Sequence, residues 1–288
     1  MAQVKGYILL LINISCQKGI VILQKSSNWI HMLLPTMTYK EMYDHLGEDL
    51  KKVKIREDYF LPKAIKEFKK ERRFPACKWY EYTVPESKNK YIIFYYAEHW
   101  KVIDHPKVGS FCIVYDDKNN RYVIKWGARL YKQTKDSKLD IIREIQVYTP
   151  HFFSRYKERG LKDTSIGINE VVGIYLSRNR ECVPITMTKE INRRLEKYGP
   201  GAKYGYRVRD GFCFASSNVQ VSRNVDSDIS KDKHEALYVV YKTFMNESDM
   251  NDNQLKAIDQ EHTDVWQQTK EDFYNESEDG KLEFVLEK

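Results

Sequence analysis

His151, Arg155, Glu158 and Arg159 follow one another at spacings of four, three and one. On an α-helix those spacings put all four side chains on one face. The flanking residues delimit such a helix. Thr149 suits its N-cap, Pro150 its first position, and Gly160 a left-handed stop. The residue types define a chemistry. A histidine moves protons near neutral pH. Two guanidinium groups can hold a phosphate bidentately. Glu158 serves as a second base or pairs with an arginine. The same spacing also describes an ordinary solvated helix face with Arg155 and Arg159 paired to Glu158.

Positioning that face requires elements behind it. A second, more apolar helix is expected over 163–176, carrying Val171, Val172, Ile174 and Leu176. A strand over 183–187 and a short helix capped by Thr188 follow. Alternating residues over 204–209 and 212–217, joined at Asp210-Gly211, predict a hairpin. Residues 236–245 read as a long final strand. The expected unit is helix, helix and antiparallel sheet over 148–246. This stretch resembles small toxin-like bacterial domains with a helix of form H-x3-R-x2-E-R-G, matched here by His151, Arg155, Glu158, Arg159 and Gly160. Those domains look like the barnase, EndoU, colicin and RelE-like superfamily of metal-independent ribonucleases. The full-length chain resembles uncharacterised proteins of gut Bacteroidales. The ribonuclease resemblance covers about a third of the chain. It implies RNA cleavage by the neighbouring 2′-OH, as in a toxin-like or mobile-element ribonuclease. His151 would move protons and the arginines would hold the phosphorane charge. The superfamily's use of a late-strand hydroxyl implies the same for Thr243 or Ser217. No cofactor and no metal is called for.

The preceding stretch, 37–147, reads as basic helices followed by an antiparallel meander. Thr38 and Glu41 form a capping box, opening a helix to about residue 53. A second helix is expected from Pro62 to residue 72. Residues 51–78 hold 11 basic and 4 acidic side chains. Lys66, Lys69, Lys70, Arg72 and Arg73 are their densest part, and Trp79, Tyr80 and Tyr82 follow directly. Cations beside aromatics can track a phosphate backbone and stack bases; a solvated helix beside a strand's aromatics has the same composition. Strands are expected over 79–84, 90–97, 111–115, 122–126, 128–131 and 144–148, with residues 116–120 as a hairpin loop.

The fold class is therefore α+β, and 288 residues with 42% hydrophobic content suffice for a core. The net charge of +7 is unevenly spread. Residues 247–288 hold 13 acids and 4 bases, which leaves +16 on the rest. A basic body suits RNA or another nucleic acid; the acidic tail, with weak helical periodicity, is solvated or lies on that body. Five cysteines at wide spacing point to a reducing cytoplasmic compartment. Residues 1–36 are an atypical N-terminal extension, able to add a strand. Their apolar run, 7–14, is too short to span a bilayer; as a signal segment, residues 1–16 would imply export. P-loop, Rossmann, G-x-S-x-G and H-E-x-x-H patterns are absent. Two readings result: a metal-independent ribonuclease centred on His151, or a non-catalytic accessory protein that binds nucleic acid or protein through residues 51–78.

Overall fold

The computed structural model describes residues 8–12, 37–132, 140–185, 193, 202–222, 233–249, 267 and 271. The fold is α+β, built on one ten-stranded, mostly antiparallel sheet. Its strands are β1 (Ile8–Ile12), β2 (Ala76–Thr83), β3 (Lys90–Ala97), β4 (Lys107–Tyr115), β5 (Arg121–Lys132), β6 (Asp140–Tyr148), β7 (Val183–Ile185), β8 (Ala202–Val208), β9 (Gly211–Ser222) and β10 (Lys233–Met245). The order across the sheet is β2-β3-β4-β5-β6-β10-β9-β8-β7, and β1 pairs with β5 beside that path. Both antiparallel runs end at the centre. There β6 and β10 lie parallel, with Tyr148 opposite Tyr241 and the two rings stacked at 4.5 Å. The sheet curls enough to bring β7 near β1.

Helices cover both faces. On one lies α1 (Tyr39–Phe68), whose Tyr43, Leu46, Val53, Ala64 and Phe68 pack on Tyr91, Ile93, Tyr95, Ile124, Ile145 and Val147. On the other lie α2 (Pro150–Arg155) and α3 (Ile168–Arg178), over Phe94, Phe111, Tyr148, Tyr206, Cys213, Val239, Tyr241 and Phe244. Period-two alternation divides each strand between the two cores. In β6, Ile145 and Val147 face α1 while Tyr148 faces α2.

Several local expectations are corrected. α1 is one helix of 30 residues, and Pro62 lies within it. Its capping box at Thr38 and Glu41 is formed. Proline removes one backbone bond and crowds the preceding turn. Here Val53 on one side of Pro62, and Ala64 and Phe68 on the other, are fully buried on one sheet, and the Tyr95 hydroxyl donates to the Glu57 carbonyl. Packing therefore overrides the breaker. The two strands expected at 122–126 and 128–131 are one, β5, running through Gly127. In the β8–β9 hairpin the loop is Arg209-Asp210, because Gly211 pairs with Val208. Gly211 has φ +150, and a Cβ there would lie 2.4 Å from the Met245 carbonyl oxygen. The 116–120 loop forms as expected, with Asp116 accepting from the Lys118 and Asn120 amides. The Thr188 helix, apart from residue 193, and most of the acidic tail lie outside the described residues. No described helix is long and apolar enough to cross a membrane.

Candidate functional site

α2 begins as its sequence dictates. The Thr149 hydroxyl accepts from the Phe152 amide and donates to the Lys242 carbonyl, and the Thr149 amide bonds to the Tyr241 carbonyl. The helix start is thus fixed to β10. Phe152, Phe153 and Tyr156 are buried around Tyr148, Tyr175 and Phe244, an edge-to-face aromatic cluster that anchors the segment. Beyond Arg155 the coil widens into a π-helical turn, Tyr156–Leu161. The left-handed stop is Lys162 (φ 54), not Gly160. Gly160 answers a packing demand instead, since a Cβ there would lie 2.6 Å from the Tyr156 ring.

The expected catalytic residues are only partly brought together. His151 is exposed. One turn on, Arg155 is ion-paired to exposed Glu158 at 2.7 Å. Arg159 sits in the π turn, and its carbonyl accepts from the Asn246 amide group. Thr243 is buried and pairs with Phe214, while Phe244 pairs with Cys213. Phe244 and Cys213 belong to the core under α2 and α3, so Thr243 points to the opposite face, away from His151. Ser217 lies on the α2 face with Ala215 but is buried, opposite Val239. The structure therefore places neither hydroxyl beside His151 on the exposed surface. With six residues, α2 also has little dipole to offer an anion. Among the described residues no His, Cys, Asp and Glu group is placed to hold a metal.

The basic patch is more organised. Lys52, Arg56, Tyr59, Lys63, Lys66 and Lys70 recur along α1 and past its end at spacings of three and four, which makes one stripe. Arg56, Tyr59, Lys63, Lys66 and Lys70 are exposed, Tyr59 to 67%. β2, an edge strand, runs beside them. The Arg56 guanidinium lies 5.5 Å from the Tyr59 ring and 5.2 Å from that of Tyr82. The Lys63 ammonium lies 4.7 Å from the Tyr80 ring, which stacks on Phe60. Lys69 pairs with Asp104 at 3.5 Å, and Arg72 and Arg73 are exposed beyond the helix. Trp79 is corrected out of this surface. It is opposite Phe94 and shares the α3 side of β2 with Cys77, so Tyr59, Tyr80 and Tyr82 are the aromatics among the cations. Period-two alternation from Cys77 onward carried that signal in the sequence.

Sequence reasoning missed two buried polar hubs. Asp210, in the hairpin loop, accepts from the Tyr156 hydroxyl (2.6 Å), Arg178 (2.6 Å) and the Asn179 amide group (2.9 Å). Asp49 on α1 accepts from Ser87, Asn89 and Tyr91. Burial also pushes the Lys125 ammonium down to about 7, with Arg180 adding to the effect and Glu144 and Cys182 opposing it. Cys77, Cys112, Cys182 and Cys213 are buried. No protein-family model, curated protein or solved structure matches the chain.

Proposed function

We propose that this protein binds single-stranded nucleic acid along α1 and the edge strand β2. The observation that carries the reading is the exposed cationic stripe of α1, with Tyr59 within it and Tyr80 and Tyr82 of β2 beside it. Lys52 is paired with Glu86 at 2.5 Å, and the four exposed cations of the stripe from Arg56 to Lys70 span about 21 Å at the helical rise, a length suited to several successive phosphates. Tyr59 offers a ring face to a base, and base–aromatic stacking is sequence-tolerant. The cations close to Tyr80, Tyr82 and Tyr59 hold those rings and leave charge for the backbone. The test is fluorescence anisotropy with a labelled single-stranded RNA. Replacing Arg56, Lys63 and Lys70 together by Glu should weaken binding by about 100-fold or more and flatten its salt dependence. Tyr59→Ala should cost about 1–3 kcal/mol, while Trp79→Ala leaves binding unchanged. Equal affinity of the triple variant and wild type would overturn the reading.

The exposure of His151, one turn from Arg155 on a helix fixed to β10, favours a second reading, the metal-independent ribonuclease. RNA cleavage in EDTA that is lost in His151→Ala supports it. Absence of cleavage by the wild type leaves binding alone.

A further inference from the structure

The connection between β3 and β4 meets the far end of the cationic stripe. It leaves β3 at Ala97, whose partner is Ala76, the first residue of β2. It then makes one 3₁₀ turn, Trp100–Val102. Val102 and Ile103 pack against the core cluster that contains Phe68, the last residue of α1. At the surface Asp104 pairs with Lys69, which caps the end of α1, at 3.5 Å. An exposed ion pair adds little stability, yet it marks where the connection lies. It abuts the end of α1, where Lys66 and Lys70 stand exposed. The Val102 amide donates to the His99 carbonyl, and the His105 amide donates to the Val102 carbonyl. Residues 99–105 are therefore a compact knob on the end of the helix.

The knob turns its aliphatic side in and its aromatic side out. A 3₁₀ turn has three residues, so with Val102 and Ile103 drawn to the core, Trp100 and Lys101 are left outside. Trp100 is 67% exposed, as much as Tyr59 in the stripe. Tryptophan is on average a well-buried residue, and an indole left in water forgoes the burial of a large apolar area. The Lys101 ammonium lies 6.0 Å from the ring centre. Two acids at this end are engaged, Asp104 with Lys69 and Glu71 with Lys78 at 2.6 Å. Cations therefore prevail, with Lys66, Lys70, Arg72, Arg73 and Lys101 all exposed. An exposed ring among cations can stack a base while the neighbouring phosphates are held.

We propose that Trp100 is a second base-stacking platform, so that a single strand laid along α1 from Tyr59 continues past the helix end onto the β3–β4 turn. This rests on the reading of the α1 stripe as a strand-binding surface and specifies its extent. Tyr59 and Lys69 are ten positions apart, about 15 Å at the helical rise, and the turn lies beyond them. At about 3.4 Å per stacked nucleotide, a strand needs about five or more nucleotides to reach both rings. The bases must also be unpaired, because a duplex keeps its base faces stacked on one another and offers none to a side chain.

Fluorescence anisotropy of the full chain with labelled single-stranded RNA tests this. Trp100→Ala should weaken a strand of about 12 nucleotides by about fivefold or more, and the affinity gained between strands of about 4 and about 12 nucleotides should shrink. Trp100→Phe keeps a ring and should retain most of the affinity, which a role in charge or folding alone does not require. Strand binding should also quench tryptophan emission, with the quench kept in Trp79→Ala and lost in Trp100→Phe. Absence of strand binding by the wild type overturns both this proposal and the α1 reading. Binding that is weakened in the Arg56, Lys63 and Lys70 triple variant but unchanged in Trp100→Ala overturns this proposal alone. So does a Trp100→Ala variant that elutes later in size-exclusion chromatography with its strand affinity intact, which assigns the ring to contact between copies of the chain.

Discussion

Asp210 ties three elements together with one carboxylate. It sits in the β8–β9 loop and receives donors from the π turn (Tyr156) and from the end of α3 (Arg178, Asn179). Its own amide donates back to Asn179. Asp210→Ala would strand a half-buried guanidinium, a phenol and an amide, and is expected to cost about 2–4 kcal/mol in chemical denaturation. Asp210→Asn keeps the shape and should cost less. Lys125 is the converse case, a charge that the fold tolerates at a loss. Its ammonium is held down to about 7 from the ordinary 10.5, so the folded state binds its proton less readily than the unfolded chain. Stability then rises as pH climbs from 7 towards 10.5 and is flat below 7. Lys125→Met should stabilise the protein by on the order of 2 kcal/mol at pH 7, and the gain should shrink in melts at increasing pH. Neither residue was legible in the sequence. Asp210 reads there as a turn former beside Gly211, and Lys125 as one more polar position in a strand. Their partners lie tens of residues away and only folding brings them close.

At the scale of elements, local signals located most starts and fewer ends. The Thr38 capping box and the Thr149 cap with Pro150 open α1 and α2 where their chemistry directs. Such caps act within one turn, so they are readable from neighbouring residues. Ends depend on what the element packs against. In the sequence Pro62 marks a boundary, yet Ala64 and Phe68 are drawn onto the same core as Val53. That reversal is testable. In a continuous helix Pro62→Ala restores a backbone bond and should stabilise the protein by about 1–3 kcal/mol, read as a raised thermal midpoint. A proline that opened a separate helix would be neutral or costly to replace. Gly160 looks like a stop in the sequence, but its role is set by the Tyr156 ring, which no sequence window displays. Of the candidate site, the run of cations was legible from composition. Which rings stand among them was settled by the two faces of β2.

For the whole molecule, the α+β class and most strands followed from alternation, and the single sheet did not. Alternation tells which face a residue takes but not which strand lies beside it. β6 and β10 meet in parallel over five register pairs, from Leu237 opposite Glu144 to Tyr241 opposite Tyr148, across a separation of about 90 residues. No turn motif links them. Residues 37–148 expressed alone would therefore display the β6 edge with no strand to cover it, and should self-associate in size-exclusion chromatography. Supplying residues 149–249 in the same cell should suppress that association.

The same seam has a consequence in time. As the chain leaves the ribosome, β6 emerges well before β10 has been translated. At ordinary elongation rates the delay is on the order of 5–20 s, far longer than a hairpin takes to form. During it the first meander can be complete while its innermost strand is open to any passing backbone. The centre of the finished sheet is thus the edge of the nascent one, and each round of synthesis exposes it until the last strand arrives.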